Sequence, residues 1–253
     1  MKMQFLSGGR LRVRKATYYP DADRSEMIEI PVISALLRHR QGNVLFDTGC
    51  HPSVVDDPQA RWGELAKTVV PIMRKSDNVL TSLKAIGVEP EDIDVVMCSH
   101  LHPDHCGCNA FFKRATVMVH AREVVAARAP DAVKMGFLEG EWDVGLSLDE
   151  LSGERDVFGD GRIVLVPLPG HTQGSMGAVV ALDRDGQFLL ASDTVSLRTT
   201  LEDGNMPRNI WNADVLLKSL AEVRRIAAGG ATVICGHDDA QWQTLRKGAD
   251  AYE

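Results

Sequence analysis

Three histidines and one aspartate stand together in residues 100–105, which read HLHPDH. Neutral imidazoles and ionised carboxylates are the ligands that zinc and similar cations take from proteins. His100 and His102 are two residues apart, so on an extended chain their side chains point to the same side. Asp104 and His105 fall on the following turn and can face a second point. Because one ion cannot easily take all four from so short a segment, the spacing predicts two ions about 3.5–4 Å apart.

Further candidate ligands follow three other apolar segments of the chain. Each comes directly after small residues, which allow the backbone to approach a metal site closely. With the first cluster they give five histidines and two aspartates, a set large enough for two cations. These further candidates are His171, Asp193 and His237.

Two zinc ions that share a water lower its pKa, so that hydroxide is available at neutral pH. A metal-bound hydroxide of this kind can attack a carbonyl group, so the predicted chemistry is metal-assisted hydrolysis. We expect Asp104, or alternatively a metal-bound water, to pass a proton to the leaving group. The sequence has no Gly-x-Ser-x-Gly elbow, so it predicts no serine nucleophile.

The order His-x-His-x-Asp-His, Gly-His, Ser-Asp, Gly-His resembles the metallo-β-lactamase superfamily. Within it, the chain is most similar to the bacterial N-acyl-homoserine-lactone lactonase group, and the resemblance extends from Asp47 to His237. It implies an α/β fold built as a four-layer α/β/β/α sandwich. It also implies a dinuclear zinc hydrolase that opens a lactone ring, most simply that of an N-acyl-homoserine lactone, which is quorum quenching. The segments that carry this similarity are Asp47-Thr48-Gly49, His100 to Gly107, Ser192-Asp193 and Gly236-His237-Asp238.

The resemblance also implies a role for each candidate ligand. The first zinc would be bound by His100, His102 and His171. The second zinc would be bound by Asp104, His105 and His237. Asp193 would bridge the two ions. Asp47 would steady the ligand loops from behind, although an ordinary turn residue after a strand is an equal alternative.

Two positions depart from what the resemblance implies. Lactonases of this group carry a tyrosine three residues after the bridging aspartate, where it contacts the substrate carbonyl, and here that position is Ser196. The tyrosines of this chain, Tyr18, Tyr19 and Tyr252, occupy no matching place in the sequence. β-Lactamases of the superfamily often have a cysteine ligand where this chain has Asp193, so β-lactam hydrolysis is less favoured.

Three other interpretations stay open from the sequence. A related hydrolase could act on another ester, a thioester or a phosphotriester. A mononuclear iron dioxygenase could use the same sandwich, but one iron needs fewer ligands than this chain offers. A binding module without catalysis would leave the complete ligand set unexplained, because buried polar groups are costly.

Apolar patterning predicts two β-rich halves with helices, arranged as one domain over residues 1–253. The apolar runs predict strands at 11–17, 28–37, 43–46, 94–98, 116–120, 163–166, 177–182, 188–191 and 232–235. Helices are predicted at 78–86, 121–128 and 213–228, with a short one from Asp239. Residues 130–152 have no clear period and predict an irregular insertion over the site.

Composition excludes several partners. The 28 Lys and Arg against 35 Asp and Glu give a net charge of −7, which argues against nucleic acid and anionic membranes. With no membrane span or signal sequence expected, and an odd count of 5 cysteines, a cytoplasmic location is predicted. The partner is expected to be a small lactone or ester.

Five large apolar residues outside regular elements would suit an acyl pocket, a homodimer interface or the core equally well: Trp62, Met135, Phe137, Trp142 and Met206.

Overall fold

The strands form two β-sheets in the computed structural model, which describes residues 1–253. The larger sheet has seven strands in the order β4-β1-β2-β3-β5-β6-β7 and the smaller has five in the order β12-β11-β10-β9-β8. The strands are β1 (Lys2–Arg14), β2 (Met27–His39), β3 (Gly42–Phe46), β4 (Val69–Pro71), β5 (Val95–Met97), β6 (Thr116–His120), β7 (Leu148–Leu151), β8 (Arg155–Asp156), β9 (Ile163–Pro167), β10 (Met176–Ala181), β11 (Gln187–Ser192) and β12 (Thr232–Cys235).

Eight α-helices accompany the sheets. The longest begins at Ala213, where the Asn212 side chain accepts a hydrogen bond from Val215 N and so caps the first turn. None of the helices is both long and apolar enough to cross a membrane. The helices are α1 (Pro58–Trp62), α2 (Val79–Ala85), α3 (Pro103–Cys106), α4 (Ala121–Ala127), α5 (Glu139–Trp142), α6 (Arg198–Glu202), α7 (Ala213–Ala228) and α8 (Asp239–Thr244).

Three apolar layers hold the sheets and helices together. Between the sheets, Phe46 and Met97 of the larger sheet pack in one cluster with Leu165 and Leu190 of the smaller. On the outer face of the larger sheet a second cluster includes residues of α2 and α4. On the outer face of the smaller sheet, α7 buries a stripe that includes Leu220. The predicted four-layer α/β/β/α sandwich is confirmed.

The carboxyl ends of several strands meet at one edge of the sandwich. Strands β3, β5 and β6 are parallel neighbours, and so are β11 and β12. Parallel neighbours place the loops that follow them at the same edge. The loops after β5, β9, β11 and β12 therefore bring their residues to a common place, and these loops contain every ligand candidate.

Most predicted strands and helices occur near their predicted bounds, but three predictions need correction. The first strand starts at Lys2 instead of Leu11, because its N-terminal part pairs antiparallel with the C-terminal half of β2. The short β4, β7 and β8 carry too few residues for a period and were not predicted. The prediction of an irregular insertion over residues 130–152 is wrong at its C-terminal end, since Leu148–Leu151 forms β7, which pairs in parallel with β6.

Candidate metal centre

Three ring nitrogens converge on one point and form the first donor group. His102 Nδ1 lies 3.1 Å from His100 Nε2 and 3.1 Å from His171 Nε2. Nitrogens held at 2.0–2.1 Å from a tetrahedral zinc ion stand about 3.3–3.4 Å apart. The spacing of these three side chains therefore already suits one small cation.

A second donor group lies beside the first. Asp104 Oδ2 is 3.6 Å from His105 Nε2 and 3.7 Å from His237 Nε2. Asp193 stands between the groups, with Oδ1 3.0 Å from His237 Nε2 and 3.6 Å from His105 Nε2. Its other oxygen, Oδ2, is 3.4 Å from His171 Nε2 in the first group. One carboxylate oxygen thus faces each group, which is the arrangement a bridging ligand needs.

Unpaired atoms at the centre of this cluster test whether a metal fits. His105 Nε2 is buried and has no hydrogen-bond partner, and the buried Asp193 Oδ1 faces only ring nitrogens of the site. Buried polar atoms are almost always paired, because leaving one unpaired costs about 1–3 kcal/mol. Cations between the two groups would accept electron pairs from both atoms, so the donor set fits a dinuclear metal site.

Burial and nearby charges act in opposite directions on the protonation states of the site. At His105 burial is outweighed by the charges of nearby aspartates, which raise its pKa to about 10, so a cation has to displace a proton there. Other ligand candidates already have the form that binds metal. Burial lowers the pKa of His171 to about 3, and burial with neighbouring histidines lowers that of His100 well below its usual range. Burial alone would raise the pKa of Asp193, but the charges of His237, His171 and His105 hold it well below the usual range. Neutral imidazole and ionised carboxylate are the forms that coordinate cations.

Asp47 supports the ligand segment from behind, as one of the two sequence interpretations predicts. It stands directly after β3 in the left-handed region, with φ 55°. Its Oδ1 accepts from Ser99 N at 2.7 Å and its Oδ2 contacts His105 Nδ1 at 2.9 Å. A carboxylate on the outer nitrogen fixes the ring so that Nε2 faces the centre.

Glu123, which the sequence analysis did not single out, connects two ligand loops. This buried side chain of α4 accepts from Leu101 N at 3.0 Å, between two ligand candidates. Its other oxygen accepts from Thr172 Oγ1 at 2.7 Å and from Gly174 N at 2.9 Å, just after a third candidate. Glu123 is a lone acidic residue in a helical pattern, so no sequence signal distinguishes it from a solvent-facing glutamate.

A cavity of about 520 Å³ opens above the two donor groups. Asp104 lines it, with 15 % of its side chain exposed, so this carboxylate can meet a bound molecule. Of the five apolar candidates for an acyl pocket, Met135 and Phe137 line the cavity. Trp62, Trp142 and Met206 do not line it and pack in apolar clusters, which is the core alternative that the sequence left open.

Tyr18 is a second residue whose position the sequence did not reveal. It follows β1, more than 170 residues before the candidate bridging ligand, yet its ring is 6.4 Å from that of His237 and lines the cavity. Burial, followed by the charges of Asp193 and Asp104, raises the pKa of Tyr18 well above its usual range. Ser196, by contrast, is fully buried and does not line the cavity.

Comparison with known proteins places this arrangement in a family. Residues 29–237 match the family model described as the metallo-beta-lactamase superfamily. The chain is 29% identical over 260 residues to the N-acyl homoserine lactonase AttM of Azorhizobium caulinodans, covering 100% of this chain and 99% of that protein. Among solved structures, an N-acyl homoserine lactone hydrolase with the product N-hexanoyl-L-homoserine at its catalytic metal centre superposes with a TM-score of 0.90, at 24% identity and over 99% of this chain and 98% of that one. The dizinc quorum-quenching lactonase AidC superposes with a TM-score of 0.70, at 15% identity and over 94% and 87% of the two chains. The match over residues 29–237 shows that this chain belongs to the metallo-beta-lactamase superfamily.

Proposed function

We propose that this protein is a metal-dependent hydrolase that opens the lactone ring of N-acyl-homoserine lactones and so quenches quorum sensing. The observation that carries the proposal is the pair of donor groups, with Asp193 between them, on the floor of a cavity of about 520 Å³. Full-length similarity to a lactonase supports the choice of substrate.

The resident metal is proposed to be zinc, two ions per chain. His100, His102 and His171 would hold the first ion, and Asp104, His105 and His237 the second, with Asp193 contacting both. Imidazole and carboxylate donors with tetrahedral spacing favour zinc over calcium or magnesium, which take mainly oxygen ligands. When bound, such ions supply a water of lowered pKa and polarise the substrate carbonyl.

The side chains of the protein orient the substrate and move a proton. Met135 and Phe137 offer apolar surface to an acyl chain, while the lactone ring lies towards the donor groups. When the ring C–O bond breaks, the leaving alkoxide oxygen needs a proton. Asp104 is the partly exposed carboxylate of the cluster, and we propose that it takes the proton that the attacking water loses and passes it to that oxygen.

A substrate panel on the zinc-loaded protein tests this function. The panel contains N-hexanoyl-homoserine lactone, a simple carboxylic ester, a thioester, a phosphotriester and a β-lactam, each followed by acid or leaving-group release. We expect kcat/KM for the lactone to exceed that for every other substrate by at least about tenfold, which is 1.4 kcal/mol. No turnover of the lactone, or faster turnover of another class, would refute the proposal.

A matched variant shows whether the turnover belongs to this site. His51 is a histidine outside the candidate ligand set, half-buried and paired with Ser53. His51→Ala should keep its activity, whereas His171→Ala should lose it together with bound zinc. Equal activity in the two variants would place the reaction elsewhere.

A further inference from the structure

Opening a lactone gains from a hydrogen-bond donor close to the carbonyl oxygen, where negative charge develops. Position 196, at which the resemblance implies a tyrosine, cannot supply one here. Ser196 Oγ donates to the backbone oxygen of Asp193 at 3.3 Å, and the residue does not line the cavity. A side-chain donor to the carbonyl oxygen therefore has to come from another element.

Several polar side chains in the cavity wall are already engaged. Thr172 Oγ1 donates to Glu123 at 2.7 Å, and Arg208 Nη2 donates to a backbone oxygen at 2.6 Å. Tyr18 differs because its ring is buried against the donor groups themselves, 6.4 Å from the ring of His237 and tilted by 52°. Its phenolic hydroxyl is a neutral donor of the same kind as the tyrosine hydroxyl that the resemblance implies at position 196.

Contacts on both sides hold Tyr18 in place. Arg208 N donates to Thr17 O at 2.7 Å, and the guanidinium of the same residue donates to Pro20 O at 2.6 Å. Arg208 therefore holds the backbone on both sides of Tyr18. The Tyr18 ring also packs in an apolar cluster. A donor fixed in this way loses little entropy when substrate binds.

We propose that Tyr18 is a catalytic residue, whose hydroxyl donates a hydrogen bond to the lactone carbonyl oxygen as that oxygen gains charge. The inference rests on the proposed function. It assigns to the turn after β1 the contact with the carbonyl oxygen that position 196 does not make. No proton is transferred in this contact: the phenol keeps its proton and stabilises the oxyanion. A phenol is protonated at neutral pH, so the donor is available there.

The test compares Tyr18→Phe with two control variants on zinc-loaded protein. Tyr18→Phe removes one oxygen. Loss of one oxyanion donor typically costs about 10²–10³-fold in kcat, but bound cations would stabilise the same oxygen, so we expect kcat for N-hexanoyl-homoserine lactone to fall about 10–100-fold with KM changed less than about threefold. Tyr19→Phe removes the hydroxyl of the neighbouring residue, which lies beside Lys15, and should match the wild type. Ser196→Ala should lower the rate by less than about tenfold. All three variants should retain two zinc ions per chain.

Ultraviolet difference spectroscopy gives a readout independent of turnover. Binding of ring-opened N-hexanoyl-homoserine should perturb a tyrosine band in the wild type and in Tyr19→Phe, and this band should be absent in Tyr18→Phe. Turnover of Tyr18→Phe within about threefold of the wild type, or an unchanged difference band, would overturn the assignment. If the wild type opens no lactone, the proposed function fails, and the difference spectrum alone then decides whether Tyr18 contacts the ligand.

Discussion

Replacing Glu123 by glutamine should weaken the protein and its metal site together. The carboxylate accepts three hydrogen bonds, one on Oε1 and two on Oε2. In the variant one of these oxygens becomes an amide NH₂ group, which would face Leu101 N or the donors of Thr172 and Gly174. Leaving a buried donor unpaired costs about 1–3 kcal/mol. For a chain of this size the thermal midpoint should fall by about 2–12 °C.

The larger consequence concerns the metal. Leu101 stands between His100 and His102, so the lost contact loosens the segment that presents both rings. Outer contacts of this kind are worth about 10–100-fold in metal affinity. We therefore expect zinc to dissociate from Glu123→Gln at 10–100-fold lower concentrations of a competing chelator. The assay is chelator competition with zinc per chain measured after dialysis.

Glu141→Gln is the matched control for Glu123→Gln. Glu141 is equally buried, but its partners are Arg61 Nε at 2.7 Å and Trp62 Nε1 at 3.0 Å, outside the ligand loops. It should lose comparable stability and keep the wild-type zinc affinity. If Glu123→Gln retained wild-type affinity, or if both variants lost affinity equally, the positioning argument would be refuted.

Three further predictions concern the metal and its surroundings. In the proposed site Asp193 is the anion shared by two cations, so Asp193→Ala should lose one zinc and most turnover while still unfolding cooperatively; near-normal turnover would contradict this. Removing both zinc ions should lower the thermal midpoint, measured by calorimetry, by about 10–20 °C relative to protein at a free zinc concentration of 100 Kd for each site, because each site contributes about 2.7 kcal/mol there. Ser196→Ala should reduce kcat/KM by less than about tenfold with zinc retained, because its hydroxyl donates to a backbone oxygen beneath the cavity. A fall of several hundredfold would show that Ser196 acts directly.

The sequence predicts the strands and the donor set because both depend on local patterns, whereas the arrangement of the strands as a sandwich follows from the resemblance. Apolar runs mark the strands, and each candidate ligand stands in the loop that follows one of them. The small residues before the ligands are required by close packing, as Gly236 shows: a Cβ there would lie 2.5 Å from Asp193 Oδ1. The short strands β4 and β8 could not be predicted, because they form only through pairing with longer neighbours.

The residues that the sequence did not reveal act across long separations. Glu123 is joined to Thr172 and Leu101 by contacts that no spacing rule describes. Tyr18 reaches the donor groups only because β1 and β2 pair along their whole length and bring the turn between them to the cavity. Met135 was a pocket candidate, but the contact of its backbone oxygen with His102 Nε2, at 2.9 Å, was not predicted. Such roles depend on the tertiary arrangement, so a pattern in one segment cannot predict them.

Backbone strain is concentrated beneath the donor groups. The two non-glycine residues with positive φ are Asp47, at 55°, and Ser192, at 46°. Strain of this kind costs about 1–3 kcal/mol for each residue and persists where the surroundings determine the conformation. Here Ser99 Oγ supplies that constraint, since it donates to Asp47 Oδ2 at 2.7 Å and lies 2.8 Å from Ser192 Oγ. Asp47 directly follows β3 of the larger sheet, and Ser192 ends β11 of the smaller sheet, immediately before Asp193. Part of the folding free energy is therefore used to fix the carboxylate of Asp47 behind the ligand segment and that of Asp193 between the two donor groups.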